Sequence, residues 1–370
     1  MKRACLLLMT LALASTAQNA PTYKRAAVLA DGAASTNASY LAFPAVLDLG
    51  GDVLVSYKRG RSHAADPGAA LEMLCLDGAA GQVKARATIA RQDGVIMQMG
   101  EWVRFPNGDI ANYIDAQKKG QPSRIGLRVV RSSDNGKSFG PVERVGAVDG
   151  VEYGYAFEAV TQGPTTWLLA MTFTNLTGGT FSSRLQNPVA GSVDVLRSED
   201  SGKSWRFVRS ITRELGGAPI NESSLARCGD GFLVAARGYD SKQWLLVTDG
   251  EFRLKTKMNI TGGENAFITS HVGRPRVFTR DGGWYLLGRN VVAPKTPMRL
   301  SLFRFDPDTL KITRHVVLDN DEGKRVSDGY YAMPYWRERE GKALFNVITY
   351  KKESGAPQIV RFEFDWQEIR

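Results

Sequence analysis

The sequence predicts an all-β fold, a six-bladed β-propeller, from three observations. One strand-turn-strand plan recurs six times, two copies of a Ser-x-Asp-x-Gly-x-Ser-aromatic turn sit at matching places in it, and no stretch reads as a long helix. The six segments are Ala42 to Tyr57, Gly100 to Ile114, Ala156 to Phe173, Glu222 to Arg237, Gly273 to Arg289 and Tyr331 to Tyr350. Their starts fall roughly 50 to 65 residues apart, the spacing of a unit of about four strands. A β-sandwich would leave that period unexplained.

Each segment carries its own turn. Leu49-Gly50-Gly51-Asp52, Pro106-Asn107-Gly108-Asp109, Gly229-Asp230-Gly231 and Asp281-Gly282-Gly283 are hairpin turns. The flanking runs, such as Phe232-Leu233-Val234-Ala235 and Trp284-Tyr285-Leu286-Leu287, are short and apolar enough to be buried on both faces. A second strand pair follows each first pair. The repeated turns, Ser132–Phe139 and Ser198–Trp205, fall in it for units two and three. In these turns the Asp carboxylate accepts backbone N–H groups, the Gly permits positive φ and the aromatic pins the hairpin end. Weaker versions at Leu76-Asp77-Gly78, Thr248-Asp249-Gly250 and Phe305–Asp308 occupy the same place in units one, four and five.

Composition agrees with one large folded unit, expected over residues 22–370: the 370 residues are 43% hydrophobic and 23% charged. Met1-Lys2-Arg3 followed by the apolar run Ala4 to Ala14 and the small residues Ser15-Thr16-Ala17 reads as a signal peptide ending near Ala17, which implies a secreted or periplasmic protein. No later run is apolar enough for a membrane helix. Without Lys2 and Arg3 the formal net charge of +10 falls by two, an excess suited to acidic glycans or to an ordinary basic surface. No basic run with interleaved aromatics points to nucleic acid. Cys75 and Cys228 lie far apart and are expected to stay unpaired, and no zinc or calcium spacing is present, so no cofactor is expected.

In a propeller the inner strands all begin near one end of the axis, so residues at the six starts converge. Those starts supply Tyr40 and Phe43, Gln98 and Glu101, Tyr155 and Glu158, Asn221 and Glu222, His271, Arg274 and Arg276, and Asp328, Tyr330 and Tyr331. The ends of the second strands add Lys58 to Arg61, Arg237 and Arg289. Arginine there is a fixed cationic fork that fits a carboxylate, or an inter-blade ion pair.

The two Ser-x-Asp-x-Gly-x-Ser-aromatic turns resemble the Asp-box of the sialidase superfamily, whose members are six-bladed propellers. The resemblance runs through the whole mature chain in order. It implies an exo-glycosidase with a Tyr nucleophile, a partner Glu, an Asp acid/base and three arginines on the substrate carboxylate. Asn221-Glu222-Ser223-Ser224 through Arg237 is similar to the segment with the Glu and the second Arg. Thr296-Pro297-Met298-Arg299-Leu300 resembles the stretch with the third. Asp328-Gly329-Tyr330-Tyr331-Ala332 resembles the nucleophile segment, with Tyr331 preferred over Tyr330. The loop Arg61 to Asp66 falls where the acid/base Asp is expected. The resemblance therefore implies Asp66, Glu222 and Tyr331 as catalytic, and Arg61, Arg237, Arg274, His271, Arg299 and Tyr330 as substrate contacts. One position departs: Leu41-Ala42-Phe43-Pro44 puts Ala42 where the first carboxylate-binding Arg stands, leaving Lys58, Arg274 or Arg276 to replace it. Other readings stay open: Tyr331 packs the axis, Asp66 caps the turn before Pro67, or Glu222 only pairs with Arg237. His63 or His271 with Tyr331 would suit a polysaccharide lyase on uronates, and a carbohydrate-binding propeller without catalysis is the third alternative.

Overall fold

The computed structural model describes residues 21–32, 37–64, 66–79, 81–119, 124–172, 191–263, 268–290, 297–353 and 355–370. The expected signal peptide lies outside these residues, as do Phe173 and Thr296. Among the described residues the strands form six antiparallel sheets, the blades of a β-propeller. Blade one is Tyr40–Asp48, Asp52–Gly60, Ala70–Asp77 and Val83–Ala90. Blade two begins at Ile96–Arg104 and Ile110–Gln117, blade three at Val151–Gln162 and Thr165–Thr172, and blade four at Ile220–Cys228 and Gly231–Gly238. Blade five begins at Val272–Arg280 and Gly283–Asn290, and blade six at Met333–Arg339 and Lys342–Lys351. Each expected strand pair is thus the inner hairpin of one blade.

The ring closes through its two ends. Lys24–Ala30, near the start of the described chain, is the outer strand of blade six and pairs antiparallel with Gln358–Asp365, Lys24 opposite Phe364. The closing strand covers the edge that blade six would otherwise expose. The apolar core lies between blades, because both faces of each sheet are covered. Val103, Tyr113 and Val129 of blade two pack with Leu168 and Leu196 of blade three, and Leu233 and Leu245 of blade four with Leu286 and Phe303 of blade five. Burying each such side chain stabilises the fold by about 1.5–3 kcal/mol.

The two strong turns behave as their chemistry requires. Asp134 accepts Ser138 N at 2.9 Å and Ser138 Oγ at 2.6 Å, and Asp200 repeats both contacts with Ser204 at 2.9 and 2.6 Å. Each turn clamps the preceding blade: Trp205 donates Nε1–H to Tyr113 Oη at 3.0 Å, and a Cβ at Gly202 would meet Phe105 at 2.3 Å. Cys75 and Cys228 sit in separate blades and are unbridged, as expected. Among the described residues no helix is long and apolar enough to cross a membrane.

The site is positioned by irregularity in the inner strands. Register shifts occur between Ala42 and Ala45, Met97 and Met99, Ala156 and Glu158, Ile220 and Ser223, and Gly273 and Arg276. A bulge re-aims the side chains within it, here across the axis. Arg274 consequently reaches Glu101 in blade two and the carbonyl of Phe157 in blade three.

Candidate active site

Glu222 leaves the bulge of blade four almost fully buried, and three groups converge on it. Tyr331 donates its phenol proton to Oε1, while Oε2 accepts from Arg237 Nη1 at 2.5 Å and from the backbone N–H of Arg274 at 2.9 Å. Burial alone would raise the carboxyl pKa, but Arg237, then Arg289, outweighs it and holds Glu222 at about 2. Tyr331 is driven the other way: burial first, then the Glu222 charge, pushes its phenol well above the ordinary 10. The resting pair is a neutral phenol hydrogen-bonded to an ionised carboxylate.

The surroundings of Tyr331 are aromatic and cationic. Phe43 packs edge-on against it at 5.1 Å, Tyr155 Oη lies 3.5 Å from its hydroxyl, and the guanidinium carbons of Arg274 and Arg289 stand 5.7 and 5.8 Å from its ring centre. Backbone strain collects here. Phe43, Arg274, Asp328 and Tyr330 take positive φ of 55, 45, 54 and 61°, a conformation that costs a non-glycine residue about 1–3 kcal/mol.

Beside the pair opens a cavity of about 490 Å³ lined by Arg237, Arg289, Arg325, His271 and Asp328, among others. Arg289 bonds Asp328 Oδ1 at 3.0 Å and the carbonyl of Gly329 at 3.2 Å. Burial would raise the Asp328 carboxyl, yet Arg289 leads the opposing effects and keeps it well below the ordinary range. His271 is pushed down to about 3, by burial first and then by Arg237 and Arg289, so its imidazole is neutral at pH 7.

The expected site residues divide. Glu222, Tyr331, Arg237 and His271 come together at the cavity or directly against it. Arg274 touches the pair through its backbone and ring contacts, but its guanidinium is committed to Glu101 at 2.6 Å, so it braces the axis and does not face the cavity. Tyr330 points away: its hydroxyl donates to Asp319 at 2.7 Å and its ring joins the blade-five and blade-six core with Trp366. Arg299 is set aside by strand alternation. It pairs in register with Asn290 and Asn320, acts electrostatically on His315, and leaves the cavity to Arg289, one residue before Asn290. Asp66 is 5% exposed and its Oδ2 accepts the backbone N–H groups of Arg61 at 2.6 Å and Ser62 at 3.4 Å, which makes it a clamp of its own loop in this arrangement. Arg61 is exposed and is tied to Asp66 through its backbone N–H.

Sequence reasoning passed over Arg289 and Asp328 as chosen site residues. A signal for Arg289 existed: it and Arg237 are each the seventh residue of a blade's second strand, in Gly283–Asn290 and Gly231–Gly238. Lys58 holds the same place in Asp52–Gly60, opposite Ala42, but donates inward to the carbonyls of Ser62 and His63 at 3.0 and 3.1 Å and to Gln98 Oε1 at 2.8 Å. It is fully buried, and burial lowers its pKa to about 8. Lys58 therefore points into its own loop and is not among the residues that line the cavity. Among the described residues no group of three or more His, Cys, Asp or Glu is placed to hold a metal ion.

No protein-family model matches the chain, and no curated protein sequence matches it. Solved structures do. A Dyadobacter fermentans protein of unknown function superposes with a TM-score of 0.71 at 14% identity, covering 94% of this chain and 99% of that one. The leech intramolecular trans-sialidase complexed with 2,7-anhydro-Neu5Ac gives 0.61 at 10%, covering 93% and 70%. Trypanosoma rangeli sialidase in complex with 2,3-difluorosialic acid, a covalent intermediate, gives 0.57 at 10%, covering 88% of this chain and 54% of that one. The chain therefore spans about half the length of the trypanosomal sialidase. These likenesses establish a sialidase-like six-bladed propeller fold.

Proposed function

We propose that the protein is a glycoside hydrolase that removes a terminal acidic sugar of the sialic-acid type from a glycan or glycoconjugate outside the cytoplasm, through a covalent intermediate on Tyr331. One observation carries the reading: Tyr331 Oη meets Glu222 Oε1 across 109 residues of sequence, beneath Arg237 and Arg289. A neutral phenol can approach an anomeric carbon that bears a carboxylate, where an anionic Asp or Glu would be repelled. The cavity arginines supply the opposite charge for that carboxylate.

The resting electrostatics suggest how substrate switches the pair on. Arg237 holds Glu222 ionised and weakly basic. A substrate carboxylate that engages Arg237 takes away that counter-charge, raises the Glu222 pKa and makes it a better acceptor for the Tyr331 proton. The lyase alternative finds no support at His271, whose lowered pKa leaves it a poor base at neutral pH.

The test is incubation with 2,3-difluorosialic acid followed by intact-mass and peptide analysis, alongside turnover of 4-methylumbelliferyl α-sialoside. The wild type should gain one fluorosugar on Tyr331, and Tyr331→Phe should gain none and release no fluorophore. A wild type that is neither labelled nor active overturns the sialoside reading.

A further inference from the structure

We propose that His63, held by Asp328, is the group that protonates the leaving oxygen and later activates water, in place of Asp66. This rests on the glycosidase reading of the same site. Asp66 Oδ2 is turned into its loop and bound by the Arg61 and Ser62 N–H groups, whereas the His63 side chain is 31% exposed and stands against Asp328, which lines the cavity. Its ring packs against Phe43 at 5.1 Å, the same distance at which Phe43 packs against Tyr331. Asp328 Oδ2 faces Nε2 at 3.4 Å from the connection that leads into blade six, and the Tyr40 hydroxyl faces Nδ1 at 3.4 Å from the first strand of blade one. Asp328 is itself tied to Arg289 at 3.0 Å.

The backbone of His63 is fixed from below. Lys58 Nζ and Gln98 Nε2 donate to its carbonyl at 3.1 and 2.7 Å, and Lys58 is 3.9 Å from Asp66. Blade one, having Ala42 in place of an anion-binding arginine, thus spends its buried cation on holding the loop that carries His63. Both ring nitrogens have a partner at 3.4 Å, but the carboxylate at Nε2 is charged and the Tyr40 hydroxyl at Nδ1 is neutral, so Nε2–H stays on Asp328 and Nδ1 is the atom that exchanges protons with substrate.

The steps balance. In the first, the Tyr331 oxygen bonds to the anomeric carbon as its proton passes to Glu222; the bond to the leaving oxygen breaks, and that oxygen takes its electron pair and the proton from His63 Nδ1. In the second, water gives a proton to His63 Nδ1 and its oxygen bonds to the anomeric carbon, while Tyr331 departs and recovers its proton from Glu222.

The experiment compares His63→Gln with Asp66→Asn on two leaving groups and on a probe that needs no acid. Fluoride departs from 2,3-difluorosialic acid without protonation, so His63→Gln should still label Tyr331 within about tenfold of the wild-type rate. On sialyllactose it should lose about 10²–10⁴-fold, and on the 4-methylumbelliferyl sialoside less than about tenfold. Asp66→Asn should lower both substrates by one common factor. A leaving-group-dependent loss in Asp66→Asn, or an equal loss on both substrates in His63→Gln, overturns the assignment while the labelling keeps the nucleophile reading. Absence of labelling in the wild type overturns both. As a readout independent of turnover, ¹⁵N NMR of the three histidines should show the neutral His63 ring protonated at Nε2 and this preference lost in Asp328→Asn. A ring protonated at Nδ1 in the wild type removes Asp328 as its holder and overturns the proposal.

Discussion

Blades one and four present the same backbone position to the axis and place opposite chemistry there. Lys58 and Arg237 are each the seventh residue of the second strand, in Asp52–Gly60 and Gly231–Gly238. Lys58 is fully buried with its three donors taken by two carbonyls and Gln98, whereas Arg237 keeps 17% of its side chain exposed, bonds Glu222 and borders the cavity. Strand register sets where such a cation stands, and its neighbours set what it does. Opposite Lys58 the strand carries Ala42, which leaves no carboxylate to draw the ammonium outward, so it turns to the loop carbonyls. In blade four the bulge delivers Glu222, and the guanidinium finds a carboxylate instead.

The strongest way to break this comparison is to place an arginine opposite Lys58 in blade one. Ala42→Arg puts a second cation into a fully buried position opposite Lys58, and should cost roughly 3–5 kcal/mol by urea unfolding with no gain in sialoside turnover. A stable variant with raised kcat/KM would mean that blade one is only a vacated clamp. Next comes Arg237→Met. Loss of its paired contact should lower kcat/KM by about 10²–10³-fold on the proposed acidic sugar, with part of the loss in KM because Arg237 is proposed to meet the sugar's carboxylate. An unchanged KM would confine Arg237 to holding Glu222.

Two titrations sharpen the contrast. Glu222 has a folded-state pKa of about 2, below its ordinary value, so its contribution is complete above about pH 4.5 and is lost as pH falls toward 2. Unfolding free energies measured from pH 5 down to 2 should fall more in the wild type than in Glu222→Gln, by up to about 3 kcal/mol. Lys58 has the opposite sign. Its pKa of about 8 lies below that of the unfolded chain, so the penalty for its charge is full below pH 8 and relieved as pH rises toward 10.5. The wild type should therefore gain up to about 3 kcal/mol on Lys58→Met between pH 8 and 10.5. Equal slopes in the two proteins would mean that Lys58 is well solvated.

All six inner hairpins were legible, because alternating apolar runs and Gly, Asp and Asn turns are local signals that recur. Glu222, Tyr331 and Arg237 were singled out through segments resembling known ones, and the structure brings the three into contact. Arg299 and Tyr330 were expected at the site, and the structure places both away from the cavity for a related reason. Each lies one residue from the side chain that faces the site or its cavity: a single step along the chain turns Arg299, at the start of its strand, to the other face, and the positive φ of Tyr330 turns it away from Tyr331. Met298 lines the cavity while Arg299 turns out, and Tyr331 meets Glu222 while Tyr330 bonds Asp319. Asp66 was expected to face the site, but the direction of its carboxylate depends on the N–H groups of Arg61 and Ser62, which sequence does not orient.

By itself the sequence determined the repeat, the blade count, the turn chemistry and the set of ionisable residues delivered to one end of the axis, since each of these depends on neighbours within a few residues. Only the tertiary structure decided which cation meets which carboxylate: Arg237 with Glu222, Arg289 with Asp328, Arg274 and Arg276 with Glu101, and Lys58 with none at hydrogen-bond distance. Those pairings follow from bulges that turn side chains across the axis and from burial that makes an unpaired charge costly, so they exist only once all six blades have closed.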